Sequence, residues 1–154
     1  MSGNLVHAPS DIVRNLMVDL SLGTTPSTSG SWPIYATREP NSPDSVITVF
    51  DTQGMVEGRF HVDGQVQEHY GIQIRVRDAN PVDGYTKAQT IAVTLDQTAY
   101  QNTVTISSTT YTVHSVSRTG SVLALGKEVS GITGISTNRN IFTLNVVVDM
   151  RQIT

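Results

Sequence analysis

The side chains best suited to metal or proton chemistry are His7, His61, His69 and His114, and their spacing decides whether they perform either. A zinc site draws on ligands at short spacing or on a helical His-x3-His pair. The nearest approach is His61-x-Asp63, with His69 beyond an Asp63-Gly64 turn signal, and that spacing assembles no metal site. Nucleophilic catalysis needs an activated Ser, Cys or Lys, yet the chain has no cysteine and no G-x-S-x-G elbow. Phosphate cradles fail as well, because Gly131-Ile132-Thr133-Gly134 lacks the lysine and helix that would complete one. Asp51, Glu57, Asp63 and Glu68 supply carboxylates, but nothing in the sequence brings two of them within the reach glycoside hydrolysis demands. The expectation is a protein that is not an enzyme and that carries no cofactor and no metal.

Arg75 and Arg77 have a clearer stereochemical relation. Two residues apart on a strand, they stand on one side of it, where each guanidinium can meet a carboxylate in a bidentate way. The acid comes either from within the fold, where a helix starting near Asp83 is the expected source, or from across a subunit boundary.

The elements that position these residues are clearest between Glu68 and Leu95. Ile72, Ile74 and Val76 alternate with Gln73, Arg75 and Arg77 as a half-buried strand. Asn80-Pro81 and Asp83-Gly84 break the chain, after which Tyr85, Ala88, Ile91, Ala92 and Leu95 share one arc of a helical wheel. Earlier, Pro9-Ser10-Asp11 starts a short helix with Ser10 or Asp11 as cap, and Ile12, Val13, Leu16, Met17 and Leu20 form its apolar face. Trp32 to Tyr35 reads as a short strand whose proline places it at an edge or a strand start, Asn41 to Asp44 as a turn and Val46 to Asp51 as a buried strand. Residues 54–67 read as a projecting hairpin or long loop, a surface arm used for contacts. Beyond the second helix the chain is β throughout: a hairpin across Ser108-Thr109-Thr110, a short strand stopped by Gly126, a loop over Ser130 to Asn140, and a closing strand in which Phe142, Leu144, Val146, Val148 and Met150 alternate with Thr143, Asn145, Val147, Asp149 and Arg151. The order predicts a single α+β domain over residues 1–154, a mainly antiparallel β-sheet with two helices packed on it.

Composition bounds the partners. The chain has 154 residues, 10 Lys and Arg against 13 Asp and Glu, and a net charge of −3 with no basic run, so it lacks the cation clusters that hold a nucleic-acid backbone. Charged residues are 15%, below the roughly 25% of ordinary domains, a composition compatible with large interfaces. No apolar run reaches membrane-spanning length and the start resembles no signal peptide, so a soluble protein is expected, with no membrane partner.

Three stretches together resemble a known family. Pro43 to Gly54 gives the pattern PDxxITVxxTxG, Gly71 to Arg77 gives GxQxRVR with Tyr85 and Ala88 downstream, and Arg139 precedes the closing strand Phe142-Thr143-Leu144-Asn145. These look like the minor capsid or tail-terminator proteins of long-tailed bacteriophages, over about Ser10 to Ile153. The resemblance implies a structural virion protein located at the tail-neck junction and assembled in the host cytoplasm. It implies a homo-oligomeric ring, usually a hexamer, that caps the tail tube, ends its polymerisation and meets the neck or connector protein, while DNA passes through the lumen without sequence-specific binding. The residues expected at subunit or ring-to-ring contacts are Arg59, Phe60, Asp63, Glu68, Arg75, Arg77, Arg139 and Asp149. Two alternatives stand beside this: another neck component such as a head-tail connector or stopper, and a small ligand- or carbohydrate-binding β module using Trp32, Tyr35, Phe60 and Tyr70.

Overall fold

A computed structural model describes residues 5–26, 30–59, 66–129 and 136–153. Helix α1 (Pro9–Asp19) comes first, followed by strands β1 (Ile34–Ala36), β2 (Val46–Arg59) and β3 (Val66–Asp78) and helix α2 (Pro81–Thr98). Strands β4 (Tyr100–Ile106), β5 (Thr109–Arg118), β6 (Leu123–Val129) and β7 (Ser136–Gln152) complete the chain. All seven strands join one sheet in the order β1-β2-β3-β7-β5-β4, with β6 also paired to β7.

The sheet corrects the expected fold class. Strand far outweighs helix, and the sheet is mixed rather than mainly antiparallel, because β1 runs parallel to β2 in the register Ile34↔Ile47 to Ala36↔Val49. Between these two strands only a turn at Asn41 to Asp44 was expected. Parallel neighbours ordinarily need a longer, helical crossover. Here the irregular segment 37–45 makes the return instead, and it must be held by side chains.

Alternation builds the core. The rows Ile47–Val76–Phe142 and Val49–Ile74–Leu144 are in register across β2, β3 and β7, so their side chains stand on one face. That face receives Ile12, Val13, Leu16 and Met17 of α1 and Ala88, Ile91, Ala92 and Leu95 of α2, all buried. Helix α1 touches β1 and β2 at one end of the strand order and β4 at the other, so the sheet curls around it. Strand β7 is the spine. Along one edge it pairs with β3 from Asn140 to Val148; along the other it pairs first with β6 and then with β5. Thr119 closes the gap between those two by donating its N–H and hydroxyl to the Asn145 carbonyl, at 3.0 and 3.2 Å.

Local details depart from expectation for identifiable reasons. No residue at the start of α1 caps it with its own side chain. Asp51 of β2 does so from across the sheet, accepting from the Ser10 N–H at 2.9 Å and the Ser10 hydroxyl at 2.7 Å, where a carboxylate also meets the positive end of the helix. Helix α2 starts at Pro81, capped by Asn80 Oδ1, so Asp83-Gly84 lies inside its first turn and is not a break. A Cβ at Gly84 would come within 2.8 Å of the Phe142 ring; glycine is what lets helix and sheet close there. Strand β2 runs on through Gly54 to Arg59, and β6 runs on through Gly126, each absorbing the glycine as a bulge. Strand β7 begins at Ser136, so part of the loop expected over Ser130 to Asn140 is strand; residues 130–135 and the arm tip at 60–65 lie outside the described residues.

The β2 bulge depends on close backbone approach. A Cβ at Gly71 would sit 2.5 Å from Thr52 Oγ1 and 2.6 Å from the Gln53 carbonyl. Gly71→Ala is expected to lower stability by about 1–3 kcal/mol through overpacking, read from urea denaturation midpoints; an unchanged midpoint would show that the two strands separate freely there.

Candidate assembly surfaces

Two groups of side chains and one apolar groove stand out, and most of the residues expected from the sequence fall into the first two. Arg75 and Arg77 lie on the face of β3 opposite α1 and α2, as the alternation with buried Ile74 and Val76 requires. Asp83 is therefore on the wrong side to meet them, contrary to expectation. Their acid is Glu39, in the segment between β1 and β2. Arg75 Nε stands 3.4 Å from Glu39 Oε1, an ion pair lacking hydrogen-bond alignment, and Arg77 Nη1 stands 4.0 Å from Glu39 Oε2. Arg77 is 1% exposed and donates from Nη2 to the Pro43 carbonyl at 2.7 Å and from Nε to the Asp44 carbonyl at 3.4 Å. Arg139 of β7 adds a third clasp, donating to the Asn41 carbonyl at 2.6 Å and pairing with Asp44 Oδ1 at 3.3 Å. These arginines hold the 37–45 segment against the sheet from within the chain. Arg77, expected at a contact between subunits, is interior to its own subunit.

The second group lies where β3 leaves β7. Tyr70 hydrogen-bonds to Glu68, and burial, followed by the negative charges of Glu68 and Asp149, pushes its phenol up to about 12. Glu68 pairs in register with Val56, so this cluster marks the base of the ribbon formed by β2 and β3. Arg59 closes that ribbon opposite Val66, while Phe60 and Asp63 lie outside the described residues.

The groove was not read from the sequence. It has a volume of about 430 Å³ and lies between the first turns of α2 and the β6–β7 hairpin, lined by Pro81, Val82, Tyr85, Ala124, Ile141 and Phe142 among others. Tyr85 meets Phe142 edge-on at 6.0 Å between ring centres, yet it remains half exposed. Tyr85 was placed on the buried arc of α2, whose interior residues are Ala88, Ile91, Ala92 and Leu95. Leu123 and Leu125 of β6 are 56% and 55% exposed but do not line the groove. Their only sequence signal was an apolar run too short to tell a buried strand from an exposed edge.

Of the aromatic residues of the β-module alternative, Trp32 and Tyr70 line different clefts, and Phe60 lies outside the described residues. Trp32 lines a cleft of about 520 Å³ with Thr86 and Lys87, whose ammonium sits 5.7 Å above the indole and is held below the ordinary lysine value by burial. Tyr70 lines a different cleft, beside residues Leu5 to Pro9. Among the described residues no group of three or more His, Asp or Glu is placed to hold a metal ion, and no helix is long and apolar enough to cross a membrane.

The family described as bacteriophage tail terminator protein matches residues 13–141, from α1 into β7. The chain belongs to the bacteriophage tail terminator family. Membership makes this terminator-family chain a structural component of the virion tail that interacts with other tail components. No curated protein matches it.

Two outcomes follow from the side-chain groups. Arg77→Met keeps volume but abandons the Pro43 and Asp44 carbonyls and Glu39, so it should cost about 3 kcal/mol by chemical denaturation; a loss under about 1 kcal/mol would show the clasp to be incidental. Tyr70 favours its protonated form in the folded state. Its contribution is therefore complete below pH 10 and lost as pH rises from the ordinary phenol value of 10.0 towards about 12. Thermal denaturation across that interval should show wild-type stability falling more steeply than that of Tyr70→Phe; identical slopes would contradict it.

Proposed function

We propose that the chain forms a closed ring, six-fold as the family resemblance implies, at the head-proximal end of the tail tube. There it ends addition of tube subunits and presents the surface that joins the neck. The observation that carries this reading is the family match, which spans residues 13–141 and so covers α2, most of α1 and most of the sheet. The architecture supports it. The described residues offer exposed apolar side chains on the β2–β3 ribbon and the β6–β7 hairpin, the kind of surface that marks an interaction site. A net charge of −3 with no basic run suits a lumen through which DNA must slide without being gripped.

In this reading the β2–β3 ribbon, with Arg59, Phe60, Asp63 and Glu68, and Asp149 at its base, is the contact arm. Arg75, Arg77 and Arg139 act inside the subunit by fixing the 37–45 segment.

The test is genetic and visual. Phage lacking the gene should accumulate tubes longer than wild type and without heads, and purified protein added to growing tubes should arrest them with an annular cap. Tails of normal length beside unjoined heads would instead assign the chain to a connector or stopper role.

A further inference from the structure

The cleft beside Trp32 contains a cation without a counter-charge. Its walls come from the loop before β1, from Pro43 and Ser45, from Asp78, and from one side of α2 through Asp83, Thr86, Lys87 and Thr90. The Lys87 ammonium lies over the Trp32 indole, and among the described residues it makes no ion pair and no hydrogen bond. An indole face attracts the charge but offers its N–H donors no acceptor.

The acids of the same cleft are each compensated. Ser45 donates its hydroxyl to Asp78 Oδ1 at 2.9 Å, and Asp83 stands in the first turn of α2, where the helix dipole favours a carboxylate. Asp83 precedes Lys87 by one helical turn, a spacing that ordinarily pairs acid with base, yet these two described residues form no ion pair. Lys127, the other lysine of the chain, is exposed and donates to Asn138 Oδ1 at 3.3 Å.

The ring beneath Lys87 is held against strain. Trp32 has φ 58°, a left-handed backbone that bulky side chains rarely adopt. Thr24 fixes it there by donating its N–H to the Trp32 carbonyl at 3.1 Å and accepting from the Ile34 N–H at 2.9 Å. A Cβ at Gly23 would collide with the same carbonyl, so glycine is required beside it. The backbone thus sets the indole in place before any ligand arrives.

We propose that this cleft takes a glutamate or aspartate side chain of a different tail polypeptide, its carboxylate meeting the Lys87 ammonium above the indole. Family membership sets the chain among other tail components, and one uncompensated ammonium matches one carboxylate. A nucleic-acid backbone is a poor match, because it needs clustered cations and would here meet Asp78 and Asp83. Burial holds Lys87 below its ordinary value, and a carboxylate in contact would favour the charged form again. Every wall belongs to one copy, so the site goes beyond the ring reading and does not depend on it.

A water-soluble carbodiimide joins an amine to a carboxylate in contact with it, and Lys87 and Lys127 are the only lysines that can respond. Assembled tails treated with it and analysed by peptide mass spectrometry should yield Lys87 joined to an Asp or Glu of another tail protein. Lys87→Arg keeps the charge but forms no such amide, so tails of that variant should assemble and lose this product alone. Tails that yield no Lys87 product, or only one with Asp83 or with another copy of this chain, would overturn the proposal. So would a Lys87 that takes an acetyl label on intact tails as fast as in the isolated protein. Protection from that label in DNA-filled particles but not in empty tails would assign the cleft to nucleic acid instead.

Discussion

The fold depends on the burial of one guanidinium. Strands β1 and β2 lie side by side and parallel, and the segment that connects them, residues 37–45, has no regular structure to satisfy its own carbonyls. Arg77 reaches into it with a fork of donors that no other side chain offers, and the Pro43 and Asp44 carbonyls are its acceptors. A buried charge is tolerated only when it is fully partnered. Glu39 supplies the opposite charge, and Arg75 and Arg139 tie the same segment at either side. What the clasp secures is the back of the sheet at the end where the β6–β7 hairpin departs.

That placement links the interior to the surface. Strand β7 carries Arg139 in the clasp, Phe142 under the groove and Asp149 near Tyr70, so one strand connects all three regions. Side chains of β7 that face the helices fix where α2 lies, and Gly84 lets its first turn approach the Phe142 ring. The first turn then presents Val82 and Tyr85 outward. Surface apolar groups on a helix start and on two hairpins are thus held in fixed relation by one packed sheet.

Much of this was legible in the sequence because it obeys short-range rules. The alternation of Ile72, Ile74 and Val76 with arginines, the arc of Ala88, Ile91, Ala92 and Leu95, and the closing strand all follow periodicities that burial enforces. What escaped was set by long-range pairing. The parallel sense of β1 depends on contacts from Arg77 to carbonyls more than thirty positions away, and sequence offers only a turn at Asn41 to Asp44. Capping of α1 by Asp51 is equally non-local. Of the residues expected at contacts, Arg77 proved interior because its strand neighbours face a covering segment that no local pattern announces. The groove was invisible for the same reason, since Val82 and Phe142 are far apart in the chain and periodicity does not tell an exposed apolar edge from a buried one.

In the proposed role the chain works by position at the end of the tail. Electron cryomicroscopy of intact particles tests it most directly. A single annulus is expected at the junction of tube and neck, its density accommodating the curled sheet with helices α1 and α2. The chain found along the tube, at the distal tip, or as isolated subunits at the junction would contradict it.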